Sequence, residues 1–261
     1  MLLKTIIKHR QLILVMAKRE LQSQYVGSFL GFLWTFIQPA VMIVVFWFVF
    51  SIGFKAKPMN DVPFVVWLTA GMAPWFFFAA IVVSSTGAVI HQAHLIKKTV
   101  FPVQILPVVK IFSSMVGHGA FVILLMTLIF FNRMGINTFY FQVLYYLFCL
   151  CCLSLGIGYF VSALNVFIRD VGQIVGVLIQ VGFWATPIFW DILIMPEKIQ
   201  QILKLNPVYY IVQGYRDSFI YFTPFWERPL YGLYFWVVTC LMWFIGTYVF
   251  QKLKPQFADV L

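Results

Sequence analysis

The sequence predicts an all-α integral membrane protein with six transmembrane helices, on the basis of its composition and its charge-poor runs. Apolar residues make up 62% of the 261 residues, aromatic residues 20% and charged residues only 10%. Soluble proteins carry about 25% charged and about 45–50% apolar residues. A soluble globule could not cover its surface with so few charges, and the composition also excludes disordered and collagen-like chains.

The net charge of +10 does not indicate a nucleic-acid partner. The basic residues flank apolar runs and form no continuous stripe, which a nucleic-acid-binding surface would need. The four cysteines behave as small hydrophobic residues within apolar runs, so we expect no disulfide framework. They are Cys149, Cys151, Cys152 and Cys240.

The N-terminal segment, residues 1–28, predicts an amphipathic helix that lies flat in the headgroup region of a membrane. Its apolar residues recur near helical spacing, and most of its basic residues fall on the other side. The apolar patch between Arg10 and Lys18 is too short for a signal peptide. The same helix would also anchor the first span, and the two roles are compatible.

Six runs are long enough to cross a bilayer, because about 20 apolar residues at ~1.5 Å each cover ~30 Å. They are too long and continuous for the ~10-residue alternating strands of an outer-membrane barrel. Lys110 begins the third run, where its stem can snorkel to the interface. The runs are residues 29–53, 64–90, 108–131, 140–166, 171–190 and 230–251.

The distribution of basic residues predicts that both termini lie in the cytoplasm, with residues 252–261 as a cytoplasmic tail. The segments that would then face the cytoplasm hold 11 of the 18 Lys and Arg residues, among them Lys97 and Lys98. Those that would face outwards hold 7, among them Lys55 and Lys57. An excess of basic residues in the cytoplasmic loops is the usual arrangement.

Residues 191–229 alternate short apolar pieces with polar ones, and prolines interrupt them repeatedly. No piece is long enough to span a bilayer, yet the segment is too apolar for a water-exposed loop. Irregular backbone at membrane depth must be buried in protein or line a cavity. The segment therefore predicts re-entrant helices, and with them a water-filled or mobile region at the outer face.

Motifs for energy coupling and hydrolysis are absent from the sequence. It contains no Gly-x-x-x-x-Gly-Lys-[Ser/Thr] loop and no Gly-x-Ser-x-Gly elbow. His91 and His94 lack further ligands nearby, so we interpret them as a solvated pair and predict no metal site. Because the middles of the spans carry no Asp, Glu, Lys or Arg, proton coupling is disfavoured. Any active transport would need energy from a partner.

His118 is the one histidine within a predicted span, between Gly117 and Gly119. A polar residue at that depth is a functional hypothesis by default. We favour the alternative that it packs in the core and hydrogen-bonds across helices. The pairs Gly27-x-x-x-Gly31 and Gly172-x-x-x-Gly176 would allow close helix approach, although such spacings are frequent by chance in apolar helices.

Several local strings occur together in order along the chain. They are Tyr25-Val-Gly-Ser-Phe-Leu-Gly-Phe-Leu-Trp34 with Gln38-Pro39, Gly71-Met-Ala-Pro-Trp-Phe-Phe-Phe78, Leu95-Ile-Lys-Lys98 before Phe101-Pro102, Asn165-Val-Phe-Ile-Arg-Asp170 with Thr186-Pro-Ile188, and Asn206-Pro207 before Tyr209-Tyr210 and Arg216-Asp217. This set resembles the transmembrane subunit of type-2 ABC exporters of cell-surface polysaccharides, over nearly the whole chain. The resemblance is closest to O-antigen exporter permeases, and teichoic-acid and capsule permeases share much of the pattern.

The resemblance implies a homodimer that binds two copies of a separate ATPase, which holds ATP and Mg²⁺, so that this chain needs no cofactor. It implies a polysaccharide linked to an undecaprenyl-type diphosphate, exported from the cytoplasm across the bacterial inner membrane and its lipids. The family's interface helix matches residues 3–22, its coupling helix about 92–105, and its outer gate helices 191–222.

Three sets of site residues follow, and none is catalytic. Contacts to the ATPase are expected from Arg19, Glu20, Lys97, Lys98, Arg169 and Asp170, of which Arg19, Lys97 and Lys98 are also the candidate cations for a diphosphate. The candidate substrate path is Trp34, Trp75, Phe76, Phe77, Phe78 and Trp184. The outer gate is Pro187, Trp190, Asp191, Tyr209, Tyr210, Arg216 and Asp217.

Each set has a simpler interpretation. Sugar rings pack their C–H faces on aromatic rings, but Phe and Trp more often pack in a core or face lipid, and we expect fewer than half of the path residues to touch substrate. Arg169 and Asp170 form either a solvated turn or a pair that holds the inner ends of spans four and five. Lys97 and Lys98 also fit the ordinary cytoplasmic excess of basic residues.

Three other classes of function remain open from the sequence. A membrane enzyme acting on lipids or glycans would depend on the pairs Asp191/Glu197 and Arg216/Asp217. A passive channel or structural subunit would need no partner ATPase. An ABC exporter of drugs or small lipids would share the architecture but not the polysaccharide.

Overall fold

The computed structural model describes residues 2–55 and 62–261, and residues 1 and 56–61, which include Lys57, lie outside that description. The described chain is helical throughout, as the sequence predicts. In chain order its helices are α1 (Leu2–Lys8), α2 (Arg10–Gln24), α3 (Trp34–Trp47), α4 (Phe64–Thr86), α5 (Ala93–Lys98), α6 (Leu106–Phe131), α7 (Val143–Phe167), α8 (Asp170–Ala185), α9 (Glu197–Lys204), α10 (Pro207–Arg216), α11 (Pro229–Leu253) and α12 (Phe257–Val260).

Five helical stretches of the described chain are long and apolar enough to cross a membrane. They correspond to the predicted runs one to four and six, and short 3₁₀ or π turns extend several of them beyond the α-helices. The stretches are Gly31–Gly53, Phe64–Thr86, Val103–Phe131, Thr138–Phe167 and Pro229–Val260. The predicted membrane architecture is therefore confirmed at the level of its long helices.

The fifth predicted run, residues 171–190, forms a shorter helix than the sequence suggests. Helix α8 ends at Ala185 after 16 residues, or about 24 Å, which is less than the ~30 Å of a hydrocarbon core. Pro187 explains the early end, because a proline disfavours helical backbone at the preceding residue, and Thr186 is extended. Apolarity continues past the break, since Ile188 and Phe189 are buried. A sixth span stays a prediction.

Helix α4 is the centre of the bundle. It packs against α6, α7, α8 and α10, and most of its residues from Val66 to Thr86 are buried. This explains why its sequence is apolar all round and shows no periodic polar face. Helix α3, by contrast, is mostly exposed in a single copy of the chain.

Helices α7 and α11 approach closely at two glycines. A Cβ placed on Gly246 would lie 2.1 Å from the carbonyl oxygen of Gly156, and a Cβ placed on Gly156 would lie 2.9 Å from the backbone nitrogen of Trp243. The two glycine pairs noted in the sequence do not perform this role within one chain. Gly27 and Gly31 have positive φ angles of 78° and 49° and lie at a turn, and Gly176 has open space around it.

The N-terminal segment forms two helices, α1 and α2, which are separated at His9. Ile13 and Ala17 of α2 are buried against the start of α6, near Val108 and Val109. This stripe is narrower than the predicted apolar face, and Leu14 remains exposed. Apolar surface of α2 therefore remains exposed in the described chain, and its contact with a membrane interface stays a prediction.

The C-terminal residues are packed rather than forming a free tail. Helix α11 continues to Leu253, and α12 follows at Phe257–Val260. Phe257 is buried, and its ring meets those of Phe250 and Phe167. The predicted tail, residues 252–261, is thus part of a small second core at this end of the bundle.

Candidate functional site

The segment between α8 and α11 folds into short helices, as its prolines predict. Helix α9 has 8 residues and α10 has 10, and both are too short to span a bilayer. Asn206 caps α10 by accepting a hydrogen bond from the backbone N–H of Val208, and Pro207 occupies the first turn. Helix α10 is inserted among α4, α7 and α11, whereas its re-entry into a membrane stays a prediction.

Arg216, at the end of α10, is the most deeply buried cation of the described chain. Its Nη1 donates to the carbonyl of Pro187 at 2.8 Å and its Nη2 to that of Ile188 at 2.7 Å. The guanidinium lies 3.5 Å from the ring centroid of Trp67. Burial lowers the pKa of Arg216 to about 10, so the group is still charged at pH 7.

Gly71 of α4 provides the space for this guanidinium. A Cβ at that position would lie 2.8 Å from Nη2 of Arg216. Arg216 therefore joins α10 to the break after α8 and to a close-fitting site on α4. Two of its N–H groups meet backbone carbonyls beyond the end of α8, whereas its Nε is buried without a hydrogen-bond partner in the described chain.

Asp217 forms no hydrogen bond or close ion pair with the adjacent Arg216 and is held by other residues instead. It accepts a hydrogen bond from Nε2 of Gln213 at 2.9 Å and lies 3.5 Å from Nη1 of Arg228. Burial raises the pKa of Asp217 above its ordinary value, and the positive charge of Arg228 opposes that rise. The two side chains diverge because successive residues of a helix point about 100° apart.

His118 links the same segment to the middle of the bundle. Its Nε2 lies 3.1 Å from the hydroxyl of Tyr215 on α10, and its ring stacks on Phe77 with centroids 4.7 Å apart. The interpretation of His118 as a buried residue bonded across helices is therefore confirmed. The contact connects α6, α4 and α10.

A cavity of about 590 Å³ opens at the end of the bundle where α4, α7 and α11 begin. Trp190 is the one predicted gate residue outside its lining, since its indole instead donates to the carbonyl of Trp184 at 3.3 Å. The structure thus gathers most of the predicted outer gate into one site. The gate residues that line it are Pro187, Asp191, Tyr209, Tyr210, Arg216 and Asp217.

The sequence did not predict the residues of the long helices that line this cavity. Trp67 of α4 and Tyr146 of α7 line it, and Tyr231 and Tyr234 of α11 complete it. No local signal distinguishes these residues from other aromatics in apolar runs. Their role depends on which helices are neighbours, which a single sequence does not state.

The residues expected to contact an ATPase lie at the opposite end of the bundle. Glu20 of α2 forms a salt bridge with Lys110 of α6 at 2.5 Å, so it fastens the N-terminal helix to the third span. The other residues of this set are exposed. They are Arg19, Lys97, Lys98, Arg169 and Asp170.

Arg169 and Asp170 have the exposure expected of a solvated turn between α7 and α8, and a role during movement of the ATPase stays a prediction. Their side chains are exposed, and no ion pair between them occurs in the described chain. Asn165 holds the corner between α7 and α8, because its Nδ2 donates to the carbonyl of Thr86 at 2.9 Å and its Oδ1 accepts from the N–H of Gly172 at 3.1 Å. Asn165 is the first residue of the motif Asn165-Val-Phe-Ile-Arg-Asp170, whereas the sequence-based prediction named the two charged residues at its other end.

The candidate path residues separate into two groups in the structure. Trp75, Phe77 and Phe78 are buried in the core around α4, and Phe76 stacks on Phe121 with ring centroids 5.3 Å apart. Trp34 and Trp184 are exposed in a single copy of the chain. Contact with substrate stays a prediction for all six.

Histidine, cysteine and carboxylate side chains do not cluster in the described part of the chain. Within residues 2–55 and 62–261, no group of three or more His, Cys, Asp or Glu side chains could hold a metal ion. His91 and His94 are both exposed. Tyrosines, amides and separate charged side chains line the candidate site.

Comparisons with known proteins match most of the chain. The family model described as ABC-2 type transporter matches residues 11–220. The O-antigen export system permease protein RfbA of Klebsiella pneumoniae is 28% identical over 259 residues, covering 96% of this chain and 95% of that protein. The protein of the same name from Myxococcus xanthus is 27% identical over 263 residues, covering 99% of this chain and 98% of that protein. The polysialic acid transport protein KpsM of Escherichia coli is 20% identical over 201 residues, covering 77% of this chain and 78% of that protein.

Proposed function

The chain belongs to the ABC-2 type transporter family, and from this membership we propose that it is the membrane permease of a polysaccharide exporter. The observation that carries the proposal is the alignment, over at least 95% of their length, with relatives named as O-antigen export permeases. We therefore propose O-antigen as the polysaccharide. The chain is a multi-pass membrane protein and a transport subunit rather than an enzyme.

We propose that the energy comes from a separate ATPase subunit, which binds ATP and Mg²⁺. The sequence has no phosphate-binding loop of its own. Two copies of the ATPase would meet a homodimer of this chain. The exposed basic residues Arg19, Lys97 and Lys98 lie at the end of the bundle away from the cavity, where such a subunit would bind.

The proposed motion starts at the ATPase and ends at the cavity. Closure of the ATPase dimer would move α5 and α2, and the salt bridge between Glu20 and Lys110 would pass the shift to α6 as a rigid body. The polysaccharide, linked to an undecaprenyl-type diphosphate, would enter from the inner leaflet. The segment around α9 and α10 would open outwards. Both termini would face the cytoplasm of a bacterial inner membrane.

Capsule export is the second candidate, because KpsM of Escherichia coli aligns with 77% of the chain. Teichoic-acid export would use the same architecture. Deleting the gene and typing the lost surface polymer distinguishes the three, since O-antigen is attached to lipopolysaccharide and the other two are not.

The proposal is tested by co-expressing the chain with a candidate ATPase and purifying the complex in lipid nanodiscs. We expect co-purification, and ATP hydrolysis that rises when lipid-linked polysaccharide is added. The double variant Lys97→Ala/Lys98→Ala should reduce the stimulation, whereas Lys198→Ala, on α9 at the other end, should not. ATP hydrolysis by the permease alone, or failure to bind any ATPase, would contradict the proposal.

A further inference from the structure

We propose that the cavity between α4, α7, α10 and α11 is a binding site for a short stretch of neutral saccharide, formed within a single copy of the chain. The inference deepens the proposed function and rests on it for the class of polymer. Its volume of about 590 Å³ falls in the range of ordinary small-ligand sites, about 300–1,000 Å³. The site requires no second copy of the chain to form its walls.

The cavity presents aromatic faces that the protein itself holds in place. The hydroxyl of Tyr221 accepts a hydrogen bond from the indole of Trp67 at 3.0 Å, and the hydroxyl of Tyr234 donates to the carbonyl of Leu205 at 2.7 Å. Tyr210 stacks on Phe235 with ring centroids 5.0 Å apart. Rings fixed in this way can receive the C–H faces of sugars at a small cost in entropy.

Two other tyrosines leave their hydroxyls for a ligand. Tyr209 and Tyr231 line the cavity, and neither hydroxyl forms a hydrogen bond to another described residue. Burial raises the pKa of Tyr209 to about 12, so its hydroxyl stays protonated at neutral pH. A neutral hydroxyl both donates and accepts, which matches the hydroxyl groups of a sugar.

The cavity is lined by three cations and two carboxylates, and all of them except Lys204 are already engaged within the protein. Arg216 is engaged with two backbone carbonyls, and Arg228 lies beside Asp217. Asp191 adds a second negative charge, while Lys204 is the remaining cation of the lining. A diphosphate would require several cations that are not already neutralised, so a neutral saccharide fits this cavity better than a phosphate does.

The site lies at the end of the bundle opposite the residues expected to contact an ATPase. Tyr209 follows the N-terminus of α10, and Tyr231 lies in the first turn of α11. A saccharide held there would contact the short helices that are proposed to open. The cavity would then retain the emerging polymer through weak contacts, as a sliding polymer requires.

The test measures binding of short oligosaccharides to the purified permease–ATPase complex in nanodiscs by isothermal titration calorimetry. The probe is the producing cells' own surface polysaccharide, released from its lipid by mild acid and cut to short fragments. We expect saturable binding that the double variant Tyr209→Phe/Tyr231→Phe weakens about tenfold or more, because it removes two hydrogen bonds. Tyr248→Phe, on an exposed part of α11 outside the cavity, should bind like the unaltered complex.

Absence of binding to the unaltered complex would overturn the inference, as would equal binding by the double variant. The Phe pair keeps both rings, and its co-purification with the ATPase shows that it is folded. The proposed function is tested separately by complementing deletion cells with the unaltered chain. Failure to restore surface polysaccharide would refute that function, whereas restoration without oligosaccharide binding would refute the cavity site alone.

Discussion

The guanidinium of Arg216 joins three elements that are far apart in the sequence. It bonds the carbonyls of Pro187 and Ile188 after α8, and it covers the ring of Trp67 on α4. The planar fork of arginine reaches both carbonyls at once, which the single ammonium of lysine does not. Arg216 is therefore one of the main contacts that position the outer segment, together with the hydrogen bonds of Tyr215 to His118 and of Trp67 to Tyr221.

Replacing Arg216 with alanine should lower the free energy of unfolding by about 2–5 kcal/mol, since it leaves two buried carbonyls without donors. Arg216→Lys should fall between this variant and the unaltered protein. The matched control is Arg228→Ala, which removes one ion pair at 3.5 Å between the half-exposed Arg228 and the buried Asp217. Asp217 keeps its hydrogen bond from Gln213, so the loss should be smaller than for Arg216→Ala. Thermal unfolding of the purified protein in detergent measures all three. Equal midpoints for Arg216→Ala and Arg228→Ala would contradict this account.

The salt bridge between Glu20 and Lys110 allows a test by exchange of charge. Both side chains are mostly buried, so Glu20→Lys places two positive charges together and should reduce stability and export. The double variant Glu20→Lys/Lys110→Glu restores the pair and should recover a large part of both. The thermal midpoint and surface polysaccharide of complemented cells provide the readouts. A double variant no better than Glu20→Lys would show that the pair does not fasten α2 to α6.

The sequence predicts which residues make specific contacts better than it predicts the partners of those residues. The sequence singled out Glu20, Lys110, His118 and Arg216, and the structure gives each a defined contact. Their partners could not be predicted, because Glu20 and Lys110, like His118 and Tyr215, are about 90 or more residues apart in the chain, and the backbone carbonyls that Arg216 contacts leave no mark in a sequence. Asn165 was overlooked for the same reason, as its two contacts are both with backbone groups.

At the scale of elements, helix α11 packs along α7 where two glycines meet. The backbones can approach there because Gly246 lies against the carbonyl of Gly156. Small residues at such crossings stabilise helix pairs in membranes through close packing. The glycine spacing that is usually sought in a sequence, four residues apart on one helix, does not reveal a crossing made by single glycines on two helices.

Gly246→Ala should destabilise the protein, because its Cβ would lie 2.1 Å from a backbone oxygen that cannot move without separating the helices. We expect a loss of about 1–3 kcal/mol, the usual cost of overpacking. Gly119→Ala on α6 is the control, since nothing lies within 4 Å of its Cβ and alanine favours a helix by ~1 kcal/mol. Thermal unfolding in detergent should separate the two variants. A Gly246→Ala protein as stable as Gly119→Ala would exclude the close contact.

Element types followed from the sequence better than their lengths did. The prolines of residues 191–229 correctly predicted short helices there, and the cap of α10 at Asn206 and Pro207 is a local feature of the sequence. The end of α8 was misjudged because residues 186–190 are apolar, and apolarity does not distinguish a helix in the membrane from a buried extended segment. Pro187 is the sequence signal for the end of α8, because a proline disfavours helical backbone at the residue that precedes it.

At the scale of the whole molecule, the chain has two ends with different chemistry. One end carries exposed basic residues on α2 and α5, together with the small core around Phe257. The other holds the tyrosine-lined cavity and the short helices α9 and α10. Helix α4, buried along its length, extends from one end to the other. Under the proposed function, movement would pass between these two ends, and a separate ATPase would supply the energy.

The most direct test of the account is the surface polysaccharide of cells that lack this chain. Deletion should remove the polymer from the surface while lipid-linked polymer accumulates inside, and expression of the unaltered chain should restore display. Lipopolysaccharide electrophoresis with surface and total polymer measured in parallel provides the readout. Undiminished surface polymer in the deletion cells would contradict the proposal that this chain is the export permease.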